Sequence, residues 1–246
     1  MTGDPHRDLH NAALRSNDEA TIFQEYHHRR KDTQHRLNAS VAGFDNGAVI
    51  VHVASPAYFQ NTPTNQVDVG QLQQDYDNWP IVKTGDRLHT NSKLDSRGIV
   101  AHQDDPFENR ETVTRVDRSG ILEAVSTSVL SNRNNNDEET SQFVTSKFEK
   151  GLVSLVDAYI ERLREGNQEG TLVTVSYVNL DGVLIRTRGG FSRHSEIKDT
   201  PVRTPVTILG DGNLRDELTP VIQPLWNAIG YSQSSHMRDG EWEFES

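Results

Sequence analysis

Four groups of residues in this sequence have the type and spacing for chemistry. His52 lies between valines in Val51-His52-Val53. An imidazole there serves as a base or a metal ligand, or as a half-buried residue holding one hydrogen bond. Asp181, followed later by Glu196-Ile197-Lys198, matches the acidic residue and Glu-x-Lys of restriction-type nucleases. In such sites the carboxylates hold a divalent ion and the lysine stabilises the reacting phosphate. That chemistry needs Glu-x-Lys on a strand, whereas the flanking Arg193-His194-Ser195 and Asp199-Thr200-Pro201 read as loop. His28, Asp32 and His35 stand at i, i+4 and i+7, which on a helix puts two imidazoles and a carboxylate on one face. That is a spacing for a metal ion or simply a solvated polar face. Arg118 and Glu123 frame a hairpin, where a guanidinium fork binds an anion or pairs with a neighbouring carboxylate.

A fifth feature is electrostatic. Arg29, Arg30, Lys31 and Arg36 form the one concentrated basic stretch, beside Glu25 and Asp32. It reads as a phosphate contact or as a helix surface that docks to the sheet or to a partner. Ser55 lacks the Gly-x-Ser-x-Gly surroundings of a nucleophile elbow. Gly189-Gly190 and Gly210-Asp211-Gly212 lack phosphate-loop spacing and read as turns.

The elements that must position these residues are legible in part. Residues 1 to about 40 read as a polar helical extension with a thin apolar stripe, Leu14, Ile22, Phe23, Tyr26 and Leu37. Ala48 to Ala54 is rich in β-branched residues and reads as a buried strand. Gly98 to His102 reads as another. Thr112 to Val116 and Ile121 to Ser126 flank Asp117-Arg118-Ser119-Gly120, the pattern of a tight antiparallel hairpin. Ser131 to Glu139 is polar and low in complexity and reads as loop. Thr140 or Ser141 is expected to cap a helix whose face is Val144, Phe148, Leu152, Leu155, Tyr159 and Leu163, with Glu149 off that face and Gly166 as the stop. Leu172 to Val178 and Val183 to Arg186 read as a second β pair around Asn179-Leu180-Asp181-Gly182, and Pro205 to Leu209 as a last strand. Thr219 is the expected N-cap of a closing helix, with Pro220 at its first position and Gly230 ending it.

Composition narrows the function classes. The chain has 246 residues and a formal net charge of -11. Such a surface repels nucleic-acid phosphate over most of its area, so DNA contact is expected only indirectly or through the basic helix. Cysteine is absent, which excludes disulfides, thiolate zinc sites and a Cys nucleophile. No apolar run approaches the ~20 residues of a membrane span, and the polar stretch from Met1 to His10 does not read as a signal peptide. A cytoplasmic location without membrane contact is expected. Lysine stands only at 31, 83, 93, 147, 150 and 198. Few lysines on an acidic chain also fit a GC-rich genome, but a salt-adapted organism is the expected reading.

The order of several motifs resembles the region that follows the Schlafen/AlbA-type DNA-binding domain in many bacterial and archaeal proteins. A helix ending in an Arg-rich stretch is echoed by Phe23 to Leu37. Val51-His52-Val53 and Pro56 follow, then Arg118, Gly120 and Glu123 of the hairpin. The match closes on Leu218, Pro220 and Leu225-Trp226-Asn227-Ala228-x-Gly230. It covers most of the chain from about residue 20. The Schlafen/AlbA-type domain itself is not among these motifs, so its nucleic-acid or nucleotide binding is not implied for this chain. The resemblance implies a regulatory or partner-binding domain without chemistry of its own.

These readings combine into one expectation. Residues 1–40 form a polar helical extension, and 41–246 a single α+β domain, a mostly antiparallel sheet with two or three packing helices. The function expected first is non-enzymatic, with a protein partner or a second copy and no cofactor. The alternatives are a metal-dependent nuclease or hydrolase through His52 or Asp181, Glu196 and Lys198, and direct nucleic-acid binding through Arg29 and Arg30.

Overall fold

The computed structural model describes residues 24, 28, 47–55, 67–68, 70, 72, 91–105, 110–135, 138–164, 166–186, 195–197, 202–238 and 241–242. Val49, Ile50, Val51 and Val53 favour extended backbone, and strand β1, Ala48–Ala54, is buried along its whole length. It sits inside an antiparallel sheet. On one side β1 pairs with β5, Leu122–Ser126, and on the other with β8, Leu172–Val178. From β5 the sheet continues as a meander through β4, Arg110–Asp117, β3, Gly98–Asp105, and β2, Asn91–Leu94. Beyond β8 lie two short strands, β11, Val202–Arg203, and β12, Thr207–Ile208. The fold is α+β with a mostly antiparallel sheet.

A second, smaller sheet runs β10–β9–β7–β6. It comprises β6, Leu130–Asn135, β7, Glu138–Val144, β9, Leu184–Arg186, and β10, Ser195–Glu196. Its β7–β9 pair is parallel. β9 therefore does not return beside β8, as the Asn179–Gly182 turn suggests. Asn179 takes a left-handed φ of 53° and Gly182 one of 76°, and the turn carries the chain out of the large sheet. Within the polar stretch 131–139, residues 131–135 and 138–139 are likewise paired strand and not loop, because β6 pairs with β7 from Leu130↔Phe143 to Asn135↔Glu138.

Helix α1, Thr145–Leu163, packs on the face of the large sheet formed by Val49, Val51, Val53, Val173, Val175 and Tyr177. Its start lies later than Thr140 or Ser141, since β7 runs to Val144, which caps the helix without a side-chain bond. Phe148 meets Phe143 and Tyr177 edge-on, at 5.5 Å between ring centroids in each case, the geometry aromatic quadrupoles favour. Tyr159 donates its hydroxyl to Gly120 O at 2.7 Å and so ties the helix to the β4–β5 turn. Gly166, at φ 81°, turns the chain out of the helix with its amide on Ile160 O. The opposite sheet face carries smaller clusters, Ala48, Ile50, Val125 and Val178, and Ala54, Ile121 and Leu172.

Two helices close the domain. Asn213 caps α2, Leu214–Glu217, through its side chain. Leu218 is the N-cap of α3, Thr219–Ala228, so Thr219 is its first residue and Pro220 lies in the first turn. Pro224 is accommodated inside the helix. Gly230, at φ 83°, ends it. Tyr231 then packs edge-on against Trp226, and β13, Met237–Arg238, pairs with β14, Glu241–Trp242.

Candidate functional site

Strand register gathers a charged row across the sheet face opposite α1. Arg115 of β4 lies opposite Glu123 of β5, which lies opposite His52 of β1, which lies opposite Thr174 of β8. Residues opposite one another in neighbouring strands point to the same face, so these side chains share it, and two of them, His52 and Glu123, touch. His52 Nε2 is 3.2 Å from Glu123 Oε2. Arg115 grips Asp95 at the end of β2 with two parallel bonds, 3.1 Å from Nη1 to Oδ1 and 2.7 Å from Nη2 to Oδ2. Arg115 also lies 4.0 Å from Asp117. The guanidinium bond holds the Asp95 carboxyl down at about 2, since hydrogen bonding to the ionised form favours it.

This row joins two residues that the sequence presents separately, His52 and Glu123. A carboxylate against an imidazole is the arrangement that orients a general base. Here His52 is only 1% exposed and is flanked by strands on both sides, so its contact with Glu123 links β1 to β5 across the sheet interior. Arg118 lies apart from them at the exposed hairpin turn, its amide on Arg97 O and its carbonyl on the Val67 amide. It does not pair with Glu123, whose cross-strand partner is Arg115.

Asp181 and Glu196 lie elsewhere. Ala48 at the far end of β1 is opposite Val178, and Asp181 follows three residues on. Four residues of strand, roughly 13 Å, separate His52 from Ala48, so His52 is remote from Asp181. Asp181 and Glu196 are themselves neighbours, because the Gly182 amide donates to Ile197 O and the Ile197 amide to Val183 O, both at 3.1 Å. Glu196 is on strand β10 and not in a loop, and both carboxylates are exposed. Lys198, Asp32, His35, Arg29 and Arg30 lie outside the described residues. His28 is helical and exposed. Among the described residues no group of three or more His, Cys, Asp or Glu is placed to hold a metal ion, and no helix is long and apolar enough to cross a membrane.

The most buried acid is one that the sequence reading sets aside. Glu149 of α1 is completely buried. Trp226 of α3 donates its indole N–H to Glu149 Oε1 at 2.7 Å. Ser234 Oγ reaches both carboxyl oxygens, at 3.0 and 2.9 Å, and accepts the His236 amide at 3.1 Å. His236 Nε2 meets the Thr145 hydroxyl at 3.1 Å. Burial pushes the Glu149 carboxyl up to about 8, against the two hydrogen bonds that favour its ionised form. The available sign was the flank of the helix. At about 100° per residue, Glu149 shares a side with Val156 and Ile160, both buried, which widens the apolar stripe beyond the face read from Phe148, Leu152, Leu155 and Tyr159.

Comparison with known proteins assigns no family. No family model matches this chain, and no curated protein or solved structure is significantly similar to it. What the geometry itself offers is the part-buried His52–Glu123 contact and the buried cluster around Glu149, each joining elements distant in sequence, together with an exposed pair of carboxylates.

Proposed function

We propose that this chain is a non-enzymatic regulatory or partner-binding domain, akin to the region that accompanies Schlafen/AlbA-type DNA-binding domains. One observation carries the reading: two residues of its family-like motifs, His52 and Trp226, are spent on internal contacts. His52 of the strand motif bonds Glu123 of the hairpin motif, and Trp226 of the closing motif bonds Glu149. Residues held in such internal contacts serve the scaffold, which leaves the surface to act. Among the described residues, two large aliphatic side chains are exposed at the two sides of the sheet, Leu94 on β2 and Ile208 on β12, and these are the places to test.

The experiment is affinity purification of the tagged chain from its native cells, with light scattering to count copies. A stoichiometric protein partner or a dimer is expected, weakened by Leu94→Glu or Ile208→Glu. A monomer at all concentrations, with nothing co-purifying, removes the reading.

A further inference from the structure

The cluster around Glu149 joins three parts of the chain. The acid comes from α1, the indole from α3, and Ser234 and His236 from the segment after α3. That segment is short, 232–238, and much of its polar anchorage is here: Ser234 on the carboxyl, the His236 amide on Ser234, and the His236 ring on Thr145. A hydroxyl both donates and accepts, so Ser234 satisfies a neutral carboxyl as well as an ionised one. The site supplies hydrogen bonds to Glu149 from a neutral indole and a neutral hydroxyl. A buried carboxylate held only by neutral groups is costly.

We propose that residues 232–238 are a latch that closes on the protonated Glu149 and opens with release of that proton to solvent. Closed, the carboxyl stays neutral up to about pH 8; open, it regains the ordinary value of 4.5. One proton therefore leaves on opening at any pH between these two. The sign follows. Opening becomes tenfold more frequent for each pH unit from about 5.5 to 7.5 and levels off above 8.

Among the described residues, two other titratable groups face the acid. Tyr177 of β8 is held well above its ordinary value by burial and by Glu149 itself, so it stays neutral throughout this window. His236 of the latch would act with the opposite sign, since charging a buried imidazole loosens the latch as pH falls. The direction of the pH dependence thus separates the two. Opening withdraws His236 from Trp226 and from Thr145 at the start of α1, which makes the latch a regulatory device for that surface. The inference stands on this cluster alone and not on the function proposed above.

The test is hydrogen exchange at the His236 and Met237 amides of the full chain, corrected for intrinsic exchange, from pH 5.5 to 9. The expected result is a tenfold rise in opening per pH unit up to about 7.5, a flat profile for Glu149→Gln, and the same slope in His236→Gln. Amides of β1 and β8 remain protected throughout. A flat wild-type profile, an equal slope in Glu149→Gln, a lost slope in His236→Gln, or opening of β1 and β8 together with the latch would each overturn the proposal. Should Glu149→Gln not fold, carbon-13 titration of the Glu149 carboxyl in the wild-type chain decides. A midpoint near 8 supports the latch, and one near 4.5 refutes it.

Discussion

Replacing Glu149 with Gln should flatten the pH dependence of global stability. The folded carboxyl holds its proton up to about 8, against 4.5 when solvated. A group whose folded pKa is raised gives its full stability below the unfolded value and loses it as pH rises toward the folded value. The loss runs at about 1.4 kcal/mol per pH unit, so the span from 4.5 to 8 amounts to roughly 5 kcal/mol, a large share of a typical domain's stability. Undocking of residues 232–238 caps that loss: once ionisation costs more than opening the latch, the slope ends early. The substituted amide keeps an oxygen for the Trp226 indole and offers an N–H to Ser234 Oγ, so the bonds are retained without a titrating proton. Urea unfolding at pH 5, 6, 7 and 8 measures both proteins. The wild type should lose stability over this range and the variant should not. Two curves of the same slope would refute the account.

Three further outcomes follow from the same structure. Asp95→Asn should cost about 1 kcal/mol at pH 7 by urea unfolding, less than its shift would give in full because Asp95 is 33% exposed; the contribution is present above 3.8 and is lost as pH falls through about 2, so the variant should lose less stability in acid than the wild type. Gly98→Ala would place a methyl 2.0 Å from Val116 O, a backbone atom, so β3 and β4 must part; a loss of about 2–3 kcal/mol in thermal or urea melts is expected. His52→Val with Glu123→Val should blur strand register: a cysteine pair at Ile50 and Val125, which are opposite in the native sheet, should crosslink cleanly in the parent and poorly in this double variant.

Several elements were legible because their signals are local. The β-branched run of β1, the Asp117–Gly120 hairpin and the Phe148–Tyr159 stripe each appear where periodicity and turn residues put them. The β6–β7 hairpin was not, because its polar stretch, Ser131 to Glu139, carries no apolar alternation and lies in a small sheet of its own. The start of α1 shifted for the same reason: Thr140 and Ser141 have the chemistry of caps, but pairing with β6 holds them in a strand. His52 was visible as a candidate and Glu123 as another, yet their contact is set by pairing of strands 71 residues apart, which no spacing in the sequence encodes. Glu149 was hidden because a charged residue beside an apolar stripe reads as surface until α3 and the following segment cover that flank.

The His52–Glu123 contact and the Glu149 cluster answer a difficulty posed by the apolar strands themselves. β1 is buried on both faces, so it has none of the in–out alternation that normally fixes strand register. Val49, Ile50, Val51 and Val53 would pack about as well after a slip of two residues. His52 and Glu123 would not, since a two-residue slip of β5 sets the Glu123 carboxyl against Ile50 or Ala54 in place of the imidazole, and a one-residue slip turns it into the face covered by α1. A half-buried carboxylate that loses its partner and faces apolar side chains is destabilised, which disfavours those pairings. Glu149 acts in the same way between helices, where Trp226 and Ser234 converge on its carboxyl. A few polar residues in an apolar interior thereby select one arrangement among many of similar hydrophobic burial, and the cost of enclosing them is what makes the selection sharp.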